Sequence, residues 1–155
     1  TDERLAVVGV GHELRGDDAV GIVIVRHLQS TLPESDKLLL IEAGSAPENI
    51  TGQIRQFKPH QVLLIDALDM GLPAGTIQFI DIKHDILEPA STTHTLSLSL
   101  LAKYLQMDLR CAVVLLGVKV EQTDLDASLT ASVQTSANDI AKIFATHYSH
   151  VHILG

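Results

Sequence analysis

Short apolar runs alternate with amphipathic stretches along the chain, and the two patterns predict different elements. Leu5–Val10, Leu38–Ile41, Val62–Ile65 and Ala112–Val120 are nearly continuous apolar runs, the pattern of strands buried on both faces. Thr76–Ile80 alternates polar and apolar positions, which predicts an edge strand. Asp17 to about Leu32 predicts a helix, with Val20, Val23, Ile24, His27 and Leu28 on one stripe and Pro33 closing it. Pro47–Phe57 predicts a short helix with Ser45 as its candidate cap. His94–Met107, with a Leu-rich face, and Ser132–His147 complete the helices, and Gly71–Gly75 is a turn.

Apolar strands separated by helices predict an α/β fold with a mainly parallel sheet covered on both faces. Crossovers in such a sheet are right-handed, and ligands bind beyond the carboxyl ends of its strands. A length of 155 residues predicts one domain over 1–155 with a single core. Hydrophobic residues make up 46% and charged residues 19%, a globular balance. The net charge of −8 comes from 11 Lys+Arg against 19 Asp+Glu. That argues against nucleic acid or an anionic membrane as partner, since both demand a basic footprint. The single cysteine excludes an intrachain disulfide and a Cys-rich zinc site. Cys111 leads into an apolar strand and reads as a core residue. No apolar run reaches about 18 residues, and Thr1–Arg4 lacks the basic-then-apolar opening of a secretory signal. The expectation is a cytoplasmic protein, with a monomer as its simplest state.

The strand ends gather the candidate chemistry. The first strand runs into Gly9-Val10-Gly11 and then Asp17-Asp18, the second into Glu42, the third into Asp66, and Thr92-Thr93-His94 opens a helix. A dinucleotide reading of Gly9-x-Gly11 fails, because Leu14 stands where the fingerprint needs glycine. Asp17 and Asp18 would also repel a phosphate at that helix start. Each candidate has a structural alternative. Asp17 or Asp18 can serve as a helix cap, Asp66 or Glu42 as a turn residue, and His94 as a plain helix-start residue. Two carboxylates and one imidazole from three loops suit zinc or nickel better than calcium. No HExxH, CxxC or Gly-x-Ser-x-Gly motif occurs. His12, His27, His60 and His84 form no ligand pattern, and His147, His150 and His152 read as a solvated tail.

Together these segments resemble the maturation endopeptidases of nickel–iron hydrogenases. The family opening stands here as Gly9-Val10-Gly11-His12-Glu13-Leu14-Arg15-Gly16-Asp17-Asp18-Ala19-Val20-Gly21. Glu42-Ala43-Gly44-Ser45-Ala46-Pro47-Glu48-Asn49 is similar to the family's Asp-Gly-Gly segment. That block, with Ile65-Asp66-Ala67-Leu68-Asp69-Met70-Gly71-Leu72-Pro73-Ala74-Gly75, looks like the branch serving formate-hydrogenlyase-type hydrogenases. Thr92-Thr93-His94 matches the family histidine, and Leu115-Leu116-Gly117-Val118 resembles the last strand. His12 departs from the usual Asn, and Glu42-Ala43 from the usual Asp-Gly.

The resemblance implies a three-layer α/β/α sandwich around a five-stranded, mostly parallel twisted sheet with one antiparallel strand. It implies an aspartyl-type endopeptidase, an enzyme activator that cuts a C-terminal extension from the hydrogenase large-subunit precursor after nickel insertion. The nickel-contacting, catalytic positions fall on Asp18, Asp66 and His94, with Glu42 and Asp17 as substrate-fitting or supporting residues. The nickel is implied to arrive with the substrate and to mark its readiness, and either a carboxylate or water on the ion acts as nucleophile. A self-contained metal-dependent amidase or peptidase, and a non-catalytic chaperone binding a metal-bearing partner, are the competing readings.

Overall fold

The computed structural model describes residues 3–33, 35–69, 71–81 and 95–154. Five strands form one sheet: β1 Leu5–Val10, β2 Leu38–Gly44, β3 Gln61–Leu68, β4 Ile77–Asp81 and β5 Ala112–Lys119. Their order is β2-β1-β3-β5-β4. β1 pairs in parallel with β2 and β3, and β3 with β5, while β4 lies antiparallel on β5 at one edge. The helices are α1 Val20–Thr31, α2 Thr51–Phe57, α3 Thr95–Met107 and α4 Ala131–Leu154. This is the expected three-layer architecture with one antiparallel strand, and the alternating run does form an edge.

Side chains of successive strand residues leave opposite faces of the sheet, so the chain builds two apolar layers. Ala6, Val8, Leu64 and Leu115 pack with Leu98, Leu101 and Leu105 of α3 and Ile54 of α2. Val7, Ile65 and Leu116 pack with Ile24, Val25 and Leu28 of α1 and Val133, Ala137 and Ala141 of α4. Cys111 is buried at the edge of the first layer, where its thiol donates to the Pro59 carbonyl at 3.3 Å and burial pushes its pKa up.

Several element boundaries differ from the sequence pattern. Gly16–Ala19 is a 3-10 turn, and the α-helix proper begins at Val20. The buried stripe of α1 runs through Gly21, Ile24, Val25 and Leu28, whereas His27 is exposed. The stripe is rotated because α1 meets the sheet at Gly21. Ser45 does not cap the next helix. A 3-10 turn at Pro47–Ile50 precedes α2, its cap position is Ala46, and neither start carries a side-chain cap bond. Strands β2 and β3 run three residues past their apolar runs, to Gly44 and Leu68, because backbone pairing continues through polar Glu42 and Asp66. Helix α4 runs to Leu154 rather than His147, with no Pro or Gly before Gly155 to end it.

Glycine sets how closely α1 approaches the sheet. A Cβ on Gly21 would stand 2.3 Å from the Ile65 carbonyl oxygen and 2.5 Å from that of Val10. A Cβ on Gly9 would stand 2.4 Å from the Gly21 carbonyl oxygen. Both neighbours are backbone and cannot rotate away. Gly21→Ala is therefore expected to lower the unfolding free energy by about 1–3 kcal/mol through overpacking. Gly52→Ala, in α2 with open space around it, is expected to raise it by about 0.4–1 kcal/mol. Urea unfolding followed by circular dichroism compares the two, and equal stability of Gly21→Ala and wild type would contradict this account of the packing.

Candidate active site

The close approach of α1 brings the 3-10 turn at 16–19 down onto the carboxyl ends of β1 and β3. A Cβ on Gly11 would meet the Asp18 carbonyl oxygen at 2.0 Å, so the loop after β1 lies hard against the same turn. Within this junction Asp17 and Asp66 are fully buried and Asp18 is only 6% exposed. Burial of ionised carboxylates is costly unless their oxygens are hydrogen-bonded or meet a cation, which makes these three the unusual chemistry of the chain.

Asp17 has a structural task. Its Oδ2 accepts the N–H groups of Glu121 at 2.9 Å and Gln122 at 3.0 Å, and the Thr130 hydroxyl at 2.8 Å. Its Oδ1 accepts the Thr130 N–H at 2.7 Å. The backbone continues the seam, with Asp17 N–H donating to the Gln122 carbonyl at 2.8 Å and Gly16 N–H to that of Ala127 at 3.1 Å. The helix-cap reading of Asp17 is thus replaced. Its donors come from the loop after β5, more than a hundred residues along the chain, and not from its own helix. As a supporting residue, it ties that loop to the turn that carries Asp18.

Asp18 and Asp66 face a different environment. The Oδ2 of Asp18 accepts the His12 N–H at 3.0 Å, so the loop after β1 orders this carboxylate, and the cap reading gives way here as well. His12 turns its Nδ1 to accept the Leu14 N–H at 3.2 Å, which leaves the proton of a neutral ring on Nε2. Asp66 sits within β3 opposite Gly117 of β5 and accepts the Ala67 N–H at 2.8 Å. By strand alternation Asp66 shares the sheet face of Leu64, the face covered by α2 and α3. Helix α3 descends to β5 through a four-residue connection, so its first residue, Thr95, lies at the carboxyl-end side of the sheet. His94 and His84 lie outside the described residues, as do the side chains of His150 and His152. His60 accepts the Arg4 N–H on its Nδ1 at 2.9 Å, a local surface contact. Among the described residues no group of three or more His, Cys, Asp or Glu is placed to hold a metal ion.

Glu42 stands at the rim. It lies in register with Gly9 on the outer strand β2, and its Oε1 accepts from Arg26 Nε at 2.8 Å. The same guanidinium reaches Glu13 Oε1 through Nη1 at 2.7 Å and holds the Glu13 carboxyl below its ordinary pKa, chiefly through that hydrogen bond. The two glutamates raise the Arg26 pKa in return. A cavity of about 410 Å³ lies between these walls, lined among others by Gly11, His12, Glu13, Glu42 and Ser45. Sequence reading missed Arg26, Glu13 and Thr130. Arg26 looks like an ordinary solvent-facing helix position, and its partners become neighbours only through the packing of α1 beside β2. The one local signal available was Gly21, since a glycine inside an apolar helical stripe marks a close backbone approach.

The family profile of hydrogenase maturation proteases matches residues 22–147 of the chain. The hydrogenase 3 maturation protease of Escherichia coli K12 is 32% identical over 132 residues, covering 84% of this chain and 82% of that protein. The crystal structure of the [NiFe] hydrogenase maturation protease HycI from Thermococcus kodakarensis KOD1 superposes with a TM-score of 0.84 at 28% identity, covering 93% of this chain and 91% of that one. The hydrogenase maturating endopeptidase HybD from Escherichia coli gives a TM-score of 0.75 over 95% of this chain and 93% of its own, a likeness of fold alone at 21% identity.

The two buried aspartates of the turn are expected to separate in mutagenesis. Asp17→Ala strands three backbone N–H groups and a hydroxyl, and is expected to destabilise the fold by about 3 kcal/mol or more. Asp18→Asn keeps an acceptor for the His12 N–H and is expected to cost about 1.5 kcal/mol or less. Thermal unfolding of both variants checks the order, and an Asp17→Ala protein as stable as wild type would remove its structural role.

Proposed function

The chain belongs to the hydrogenase maturation protease family and is a peptidase; we propose that it removes the C-terminal extension of a nickel–iron hydrogenase large-subunit precursor once nickel has been inserted. The observation that carries this reading is the pair of buried carboxylates, Asp18 and Asp66, held by separate elements at the carboxyl ends of β1 and β3. Binding beyond the carboxyl ends is the rule for open parallel sheets. The nickel belongs to the substrate. Asp18 and Asp66 offer oxygen ligands and His94 a nitrogen, a mixed set suited to nickel. In the sequence His94 immediately precedes Thr95, the first residue of α3.

The roles follow from this arrangement. His12 N–H holds the Asp18 carboxylate in one orientation, and Ala67 N–H does the same for Asp66. Rigid ligands of this kind engage an ion brought by a docked precursor without a large reorganisation. Asp18, Asp66 and His94 would hold the nickel that the precursor brings, and the ion would supply Lewis-acid polarisation of the scissile carbonyl. Asp17 keeps the turn in place from behind, and Glu42 shapes the rim over which the extension passes. The net charge of −8 fits a protein partner with a basic tail. No helix among the described residues is long and apolar enough to cross a membrane, which agrees with action on a precursor in the cytoplasm.

The test is a processing assay with the nickel-loaded precursor and with its nickel-free form, read by intact mass. Loss of one C-terminal fragment from the loaded form alone is the expected result. Asp18→Asn, Asp66→Asn and His94→Ala are each expected to slow cleavage by about 10²–10⁴-fold while keeping the native circular dichroism spectrum. Equal cleavage of both precursor forms would point instead to a self-contained metal hydrolase. Binding of the loaded precursor without cleavage would point to a chaperone.

A further inference from the structure

We propose that Arg26 is a positioning residue that sets the substrate-binding rim of the site by clamping together Glu13 and Glu42, which line the cavity shared with His12, the residue whose N–H orders Asp18. The inference rests on the peptidase reading above and extends it to a residue outside the catalytic positions. Arg26 projects from the second turn of α1 and bonds two carboxylates at once, Glu13 through Nη1 at 2.7 Å and Glu42 through Nε at 2.8 Å. Both glutamates line the 410 Å³ cavity. Glu13 rides on the loop after β1, next to His12, whose N–H orders Asp18. Glu42 rides on the edge strand β2 and has no strand on its outer side. The guanidinium therefore joins a loop to an unsupported strand edge at the mouth of the site.

The clamp has two consequences. It fixes the loop after β1 relative to β2, and so the shape of the rim offered to the peptide. It also leaves the pair of glutamates with one net negative charge instead of two, since one guanidinium opposes them. The planar fork of arginine is needed for this geometry. A lysine ammonium is a point charge on a flexible stem and cannot reproduce the two-sided bridge. Surface pairs of this kind add little to stability. A clamp kept at the mouth of an active site therefore acts on substrate binding more than on folding.

The experiment measures kcat and KM for the nickel-loaded precursor with wild type, Arg26→Ala, Arg26→Lys and the exchanged pair Arg26→Glu with Glu42→Arg. Arg26→Ala is expected to raise KM by about 5–20-fold with kcat within about threefold of wild type, and to shift Tm by no more than about 2 °C. Arg26→Lys is expected to fall between the two, and the exchanged pair to recover part of the lost KM. Wild-type KM is expected to rise between 0.05 and about 0.5 M salt as the clamp is screened, and the Arg26→Ala value to change less. A wild-type enzyme that leaves the loaded precursor uncut refutes the peptidase reading itself. A wild type that cuts, beside an Arg26→Ala variant with unchanged KM or with a loss confined to kcat, refutes the clamp alone.

Discussion

Helix α1 meets the sheet at Gly21, where no side chain stands between the helix backbone and the strands below. Gly21 lies against the carbonyls of Val10 and Ile65, and Gly9 lies against the carbonyl of Gly21. A single added methyl at either position has no room. This contact fixes the height of the helix over β1 and β3, and with it the place of the 3-10 turn that precedes the helix. Asp18 lies in that turn, while Asp66 lies one residue beyond Ile65. The place of Asp18 over the strand ends thus depends on missing side chains at Gly9 and Gly21.

A buried carboxylate secures what the glycines position. Asp17 can remain inside the protein only because four donors converge on it, and all four come from the loop following β5. The desolvation cost of the charge is offset by bonds that can form in one arrangement only. The segment from Gly9 to Ala19 is therefore held from three directions. The sheet lies below it, the Glu121–Thr130 loop behind it, and the His12 bond to Asp18 ties its front.

The rim is built on different physics. Glu13, Arg26 and Glu42 are substantially exposed, so their mutual attraction is weak and screened. Such contacts suit a surface that must admit a polypeptide and release it. Buried aspartates at the centre thus give way to exposed ion pairs at the mouth. His12 and Glu42-Ala43, the departures from the family motif, line the cavity at this mouth.

The architecture was legible in the sequence because strands buried on both faces must be apolar throughout, and helices covering a sheet must be apolar on one side. Those constraints are local and periodic, and they placed all five strands and four helices. They also marked Glu42 and Asp66, since a carboxylate ending an apolar run stands out against its neighbours, and Asp18, which follows the first strand at a helix start. The helix-cap reading of Asp17, the stripe through His27 and the cap at Ser45 failed for a common reason. Each was argued from adjacent residues, while the actual partners lie far along the chain or in another layer. Thr130 reaches Asp17 across 113 positions, and Arg26 meets Glu42 only because α1 packs beside β2. Amino-acid order by itself determined which segments are strands and helices and which strand ends carry carboxylates. The close approach of two backbones decided which carboxylate became a structural anchor, because hydrogen-bond partners are chosen by distance in space, and distance in space is set by packing.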